Sequence, residues 1–370
     1  MEHADRALGT DLSTWSERGW CRMERMAREL SSGNSNMISI ESPSLQTYEP
    51  AWQAAFFPPG EGRFSSQGDR VKVAAILKQL FAAKLFDCLA KEDLSSYRFW
   101  LNQQRMRFSG FDIPDSEVAA VLKRLIAAKL VQCQEQEDSV AYRFWLNQQQ
   151  MRFDTKGIEE KFGEDEKEAA VLARFLNENS FTHATERDAA GWSPLCYAAM
   201  NGDPLLVSAL LSACADANDR ITKGRPECQI QKGMPALQLS AYCRNCDVMK
   251  LLLSARAAVN DTDCRGATAL HWAMISNTVQ GVRILCEAGS FVAFAFRVLT
   301  PNWPLADVGS ASPPRPPWRA LRLARQTHFK SCWRKGSEVP LVQKAVITKL
   351  VIVVMLAILA IILIEPNGKK

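Results

Sequence analysis

Cys243-Arg244-Asn245-Cys246 is the pattern in this 370-residue chain with the plainest capacity for chemistry. Two thiols at this spacing can bind a metal or cycle through a disulfide once deprotonated. A zinc site needs two more ligands and a redox pair needs a βαβ setting; neither accompanies these cysteines. The four histidines, His3, His183, His271 and His328, are scattered along the chain. There is no phosphate-cradling glycine loop, no HExxH helix and no G-x-S-x-G elbow. The carboxylate pairs Glu159-Glu160 and Asp165-Glu166 fall in a charged stretch and read as solvated surface. No catalytic residue, no metal ligand and no cofactor is therefore expected, and the chain is not expected to be an enzyme.

Composition sets the frame for the elements around these residues. With 47% hydrophobic and 23% charged residues the chain can build a sizeable core, and its length suggests two or three domains. The net charge of +5 is mild and does not argue for nucleic acid as a partner. Met1-Glu2-His3-Ala4-Asp5-Arg6 shows no apolar stretch behind a basic end, so no secretory signal is expected. The eleven cysteines have no framework spacing and are read as reduced thiols of a cytosolic body. Residues 1–62, punctuated by Ser, Gly and Pro, are expected to be flexible, with one amphipathic stretch around Trp20 to Leu30.

Residues 63–153 hold a tandem duplication. Val73-Ala74-Ala75-Ile76-Leu77-Lys78-Gln79-Leu80 recurs as Val118-Ala119-Ala120-Val121-Leu122-Lys123-Arg124-Leu125, and Tyr97-Arg98-Phe99-Trp100-Leu101-Asn102-Gln103-Gln104 recurs unchanged over 142–149, both 45 residues on. The first segment has helical apolar spacing; the second, rich in aromatics, suits a strand after a polar bend. Helix, strand, acidic turn and strand resemble the latter half of a winged helix, and most of all the end of a DEP domain. That resemblance implies docking to membranes or receptors, or a groove-reading helix carrying Lys123, Arg124 and Lys129. Those three are read in the first place as the solvated face of an amphipathic helix. Glu135, Glu137 and Asp138 place negative charge in the would-be wing, against nucleic acid.

From Gly191 the pattern changes. Gly191-Trp192-Ser193-Pro194-Leu195-Cys196-Tyr197-Ala198-Ala199 is echoed by Gly233-Met234-Pro235-Ala236-Leu237-Gln238-Leu239-Ser240-Ala241 and by Gly266-Ala267-Thr268-Ala269-Leu270-His271-Trp272-Ala273. Offsets of 42 and 33 residues separate the copies, the nine extra residues falling in Ile221 to Lys232, a segment expected to protrude. Residues 188–289 resemble an ankyrin-repeat array, with Glu166 to Leu176 as its N-terminal capping helix and His271 in a structural position. The resemblance implies an α-solenoid that binds protein partners and does no chemistry. It also implies surface positions for binding at Trp192, Met200 and Asn201, then Met234, Tyr242 and Cys243, then Arg265, Ala267, Met274 and Ile275. Cys196 and Gln238, where the family prefers His, are expected to blunt hydrogen bonding between loops.

Residues 291–344 read as a basic, Pro-rich tether around Pro313-Pro314-Arg315-Pro316-Pro317. Beyond it Leu350, Val351, Ile352, Val353, Val354, Met355, Leu356, Ala357, Ile358, Leu359, Ala360, Ile361, Ile362, Leu363 and Ile364 form an unbroken apolar run. With 345–349 the run is long enough to cross a bilayer as a helix, Lys349 snorkelling at the interface. The excess of Lys and Arg ahead of it fits a cytoplasmic body. The expected whole is mainly α: an ankyrin α-solenoid over 154–290, a small α+β winged-helix-like duplication over 63–153, and a transmembrane helix over 345–364. That describes an adaptor held at the endoplasmic reticulum or mitochondrial outer membrane, with the lipid bilayer and an unidentified protein as partners. A nucleic-acid or signalling regulator, and a fragment of an ankyrin-bearing channel, are the alternatives.

Overall fold

Residues 16–31, 37–42, 45–49, 51–153 and 167–290 are described by the computed structural model of the protein, all within one unit spanning Met1–Ala295. The Trp20–Leu30 stretch is a helix, α1 (Gly19–Leu30). Met23, Met26 and Leu30 recur on one face of α1, are buried, and pack it against the duplicated region. An antiparallel hairpin of β1 (Met37–Ser42) and β2 (Leu45–Glu49) follows, with Met37 opposite Glu49 and Ile40 opposite Gln46. A 3₁₀ turn over Ala51–Phe56 buries Ala54, Ala55 and Phe56. The flexibility expected for 1–62 is thus corrected over Gly19–Leu30 and 54–56: the amphipathic helix and the Ala-Ala-Phe turn are packed against apolar partners.

The duplicated region is helical throughout. Its first copy comprises α2 (Gln67–Ala90), α3 (Leu94–Leu101) and the short α4 (Gln104–Arg107); its second comprises α5 (Asp115–Glu135) and α6 (Ser139–Phe153). The winged-helix and DEP-like strands are therefore not present, and the α+β expectation is corrected to paired helices. What the aromatic composition hides, the acidic bend decides. Asp93 accepts from the Ser96 N–H and Asp138 from the Ala141 N–H, each at 2.9 Å, which starts a helix at the same place in both copies. Glu92 and Glu137 both take φ of 55°, and the next N–H closes back onto the Cys88 or Cys133 carbonyl at 2.9 or 3.0 Å. This Schellman ending joined to an Asp cap is a helix–helix turn, not a wing.

The third part begins with α7 (Lys167–Glu178), where the capping helix is expected. Three helix pairs follow: α8 (Pro194–Asn201) with α9 (Pro204–Ser212), α10 (Ala236–Tyr242) with α11 (Cys246–Ser254), and α12 (Ala269–Ile275) with α13 (Val279–Glu287). Ala198, Ala199, Ala241 and Ala273 are fully buried, so small side chains let neighbouring first helices approach. Among the described residues no helix is long and apolar enough to cross a membrane. The tether over 291–344 and the helix expected over 345–364 lie outside the described residues.

Candidate protein-docking site

Each repeat is entered through a tight turn in which Gly191, Gly233 and Gly266 hold φ between 73° and 80°, a region that penalises a side chain. Two buried carboxylates organise these turns, and neither was singled out from the sequence. Asp188 accepts from the Trp192 N–H at 2.9 Å and the Tyr197 hydroxyl at 2.7 Å. Asp263 accepts from the Ala267 N–H at 3.0 Å and the Trp272 indole N–H at 3.2 Å. Their common signal was available: each stands three residues before its turn glycine. His271 sits in a capping box, its Nδ1 taking the Thr268 N–H at 3.0 Å.

Gln238 does more than its departure from the family preference implies. Its amide donates to the Asp261 and Ala267 carbonyls, both at 2.9 Å, and ties the first helix of repeat two to the turn of repeat three. A side-chain amide has two N–H donors, so it bonds twice to the next loop where loss of bonding was expected. Cys196 makes a long bond to the next loop, its thiol donating to the Asp219 carboxylate at 4.0 Å.

The first-helix face of the array is covered by the chain's own N-terminal helices. Phe56 meets the Tyr242 ring edge-on at 5.0 Å, and Phe99 meets Trp192 at 6.0 Å. Arg105 donates to the Gly202 carbonyl at 2.6 Å, and Arg244 pairs with Glu61 at 2.8 Å. Trp192 and Tyr242 are buried beneath this cover, and Met200, Met234, Cys243, Ala267 and Met274 are buried as well, which corrects the placement of all seven on the surface. Asn201 is half-buried and donates to Asn102 at 3.4 Å. Of the ten positions only Arg265 and Ile275 are exposed. The physical reason is occupancy: aromatic side chains that suit an interface already have one within the chain. The Ile221–Lys232 segment does not protrude either. Ile221, Cys228 and Ile230 are buried, the Lys223 carbonyl takes the Trp192 indole N–H at 2.9 Å, and the Cys228 carbonyl takes the Tyr242 hydroxyl at 3.0 Å.

Arg98 of α3 is the centre of this contact. Its guanidinium donates to the carbonyls of Asn179 at 2.6 Å and Ser180 at 2.8 Å, capping the end of α7, where the helix dipole favours a cation. It lies 3.4 Å from the Asp188 carboxylate and 4.1 Å above the Phe181 ring. Asn102 donates to the Asn179 side chain at 2.7 Å. Arg225, from the inserted segment, covers Phe99 at 4.6 Å and donates to Ser96 at 3.2 Å. A second buried cation, Arg107, pairs with Glu29 of α1 and donates to Gln103 at 2.6 Å, locking α1 to α4. Burial pushes the Glu29 carboxyl up, and the Arg107 charge opposes that shift.

The Cys243/Cys246 pair gives no sign of reactivity. Burial pushes the Cys243 thiol up to about 12 and raises that of Cys246. Among the described residues no group of three or more His, Cys, Asp or Glu side chains could hold a metal ion.

Paired helices entered through glycine turns define a solenoid of short repeats, a class that presents surfaces to other proteins. The particular family is shown over that stretch: residues 195–293 match the family model for ankyrin repeats, in three copies. No curated protein matches the chain. Ankyrin repeats are protein–protein interaction modules, in general without catalytic activity.

Proposed function

We propose that the protein is a non-enzymatic adaptor whose ankyrin array engages a protein partner while residues 345–364 hold it in a membrane, the body on the cytoplasmic side. The matched array carries the first half of this reading. The apolar run over 350–364, with Lys349 at its edge, supports the second. Basic residues ahead of the run would attract anionic lipid. The endoplasmic reticulum and the mitochondrial outer membrane both suit such a span. Within the array, Arg265 and Ile275 of repeat three remain open to a partner, beside exposed Val279 at the start of α13.

Alkaline carbonate extraction tests the anchor. The full chain should stay in the membrane pellet, and a chain lacking 345–370 should be released. Release of the full chain would refute the anchoring. Proximity labelling with both chains, each with and without Ile275→Asp, then tests the partner surface. Loss of the same labelled protein from both Ile275→Asp chains supports repeat three as the contact; an unchanged labelling pattern refutes it.

A further inference from the structure

The duplication leaves one octapeptide in two surroundings. In the first copy, Tyr97 to Gln104, seven of the eight side chains are buried; in the second, Tyr142 to Gln149, only Trp145 and Gln148 are. The register is the same, because Asp93 and Asp138 cap the two helices at equivalent positions. The local shape is the same as well. Phe99 stands edge-on to Trp100 at 5.5 Å and 80°, and Phe144 to Trp145 at 5.2 Å and 84°. Trp145 is held inward by stacking on Phe86 at 4.6 Å, and Arg143 and Asn147 are left facing outward.

Within the shared motif, Arg98, Phe99 and Asn102 grip the array; just ahead of it Ser95 and Ser96 also meet Asp188 and Arg225, and their counterparts are Val140 and Ala141. The counterparts of the three motif residues on α6 are Arg143, which is exposed, Phe144, which is half-buried, and Asn147, which is exposed. Arg143 has no hydrogen-bond or ion-pair partner among the described residues, whereas Arg98 has three. Exposed Val140, one turn ahead, extends the uncovered face.

We propose that α6 is a second array-docking helix, and that its occupant is the ankyrin array of a second copy of this chain. The receptor is the one seen here under α3: the Asn179 and Ser180 carbonyls, Asp188, Phe181 and Trp192. The identical motif, presented in the same conformation, offers this receptor the same Arg, Phe and Asn side chains. So α6 of one molecule takes the site when α3 of another leaves it, without the contacts of Ser95, Ser96 and Arg105. Within one chain α3 holds the advantage of high effective concentration, which keeps the exchange rare until α3 is weakened. The proposal rests on the array being a protein-docking surface and is independent of membrane anchoring.

The test uses the full chain in mild detergent and sedimentation velocity. Arg98→Ala with Phe99→Ala frees the receptor and should convert the protein to a concentration-dependent dimer or larger ring. Adding Arg143→Ala and Phe144→Ala should weaken that association by roughly tenfold or more, the consequence of losing a charge-assisted hydrogen-bond set. Should the α3 double variant fail to fold, Arg98→Lys removes only the forked donor geometry and is read in the same way. A folded α3 variant that stays monomeric overturns the proposal, including the case in which α6 moves into its own array. Association that survives the α6 changes overturns it too, since contacts through the apolar tail or the outer helices would then explain it. Partner capture by the adaptor is scored separately, so its failure leaves this result intact.

Discussion

Copies one and two of the duplicated unit share an eight-residue motif letter for letter, yet Arg98 is sealed between a helix end, a carboxylate and an aromatic ring while Arg143 faces solvent. Secondary structure does not separate them, since both motifs are helical behind an Asp cap. What separates them is position: the first motif lies against α8 and the end of α7, whereas α6 meets α7 only through its far end, where Arg152 donates to the Ser180 hydroxyl at 3.3 Å. A side chain's contribution is set by what it meets. The same arginine is a structural pin in one place and an unused donor in the other.

The largest expected difference follows from that. Arg98→Ala leaves Asp188 without its cation and two helix-end carbonyls without donors, so it should cost about 3 kcal/mol or more of unfolding free energy. Arg143→Ala should stay within about 0.5 kcal/mol. Urea unfolding of both variants checks the contrast, and equal midpoints would break it.

Cys243 reports the same seal kinetically. Its thiol, pushed up to about 12 by burial, should alkylate at pH 8 far more slowly than an exposed cysteine such as Cys214 or Cys264. The Arg98→Ala variant should speed labelling of Cys243, and Arg143→Ala should not. Mass spectrometry of timed samples distinguishes the two. Comparable labelling of Cys243 and Cys214 in the unaltered chain would mean that the N-terminal helices do not cover the array.

A smaller contrast lies within the array, where Gln238 and Cys196 occupy the same repeat position. Gln238→Ala removes two donors from buried carbonyls and should cost about 1–3 kcal/mol. Cys196→Ala loses only a 4.0 Å thiol contact and a small volume, so its thermal midpoint should fall less. The reverse order would show that bonding to the next loop by Gln238 contributes little.

How much of this was legible in the sequence depends on the range of the interaction. The turn glycines, the buried alanines and the His271 cap are local to each repeat, and a repeated local pattern identifies itself. The strand reading of Tyr-Arg-Phe-Trp-Leu failed because aromatic content was weighed above Asp93 and Asp138, whose capping role lies in the same few residues. The burial of Trp192 and Tyr242 was of another kind. It depends on Phe56 and Phe99, more than 90 residues upstream, and no periodicity within the array announces a covering element.

The smallest expected effect is one of pH. Hydrogen bonds from the Thr182 N–H at 2.6 Å and its hydroxyl at 2.8 Å hold the Glu186 carboxyl below its usual range, with a weaker contribution from the Arg98 charge. A lowered value means that the folded state binds fewer protons than the unfolded one. The stabilisation is therefore complete above the unfolded value of 4.5 and is lost as pH falls through the lower folded one. Amide exchange at Thr182 and His183 should accelerate in that window beyond the change in intrinsic rate, and Glu186→Gln should remove the acceleration. Because Arg98 adds to the shift, Arg98→Ala should move the transition slightly upward in pH, whereas Arg143→Ala should leave it in place. Coincident transitions in those two variants would show that the first copy's arginine does not reach the loop electrostatically, and would confine its role to the helix end and Asp188.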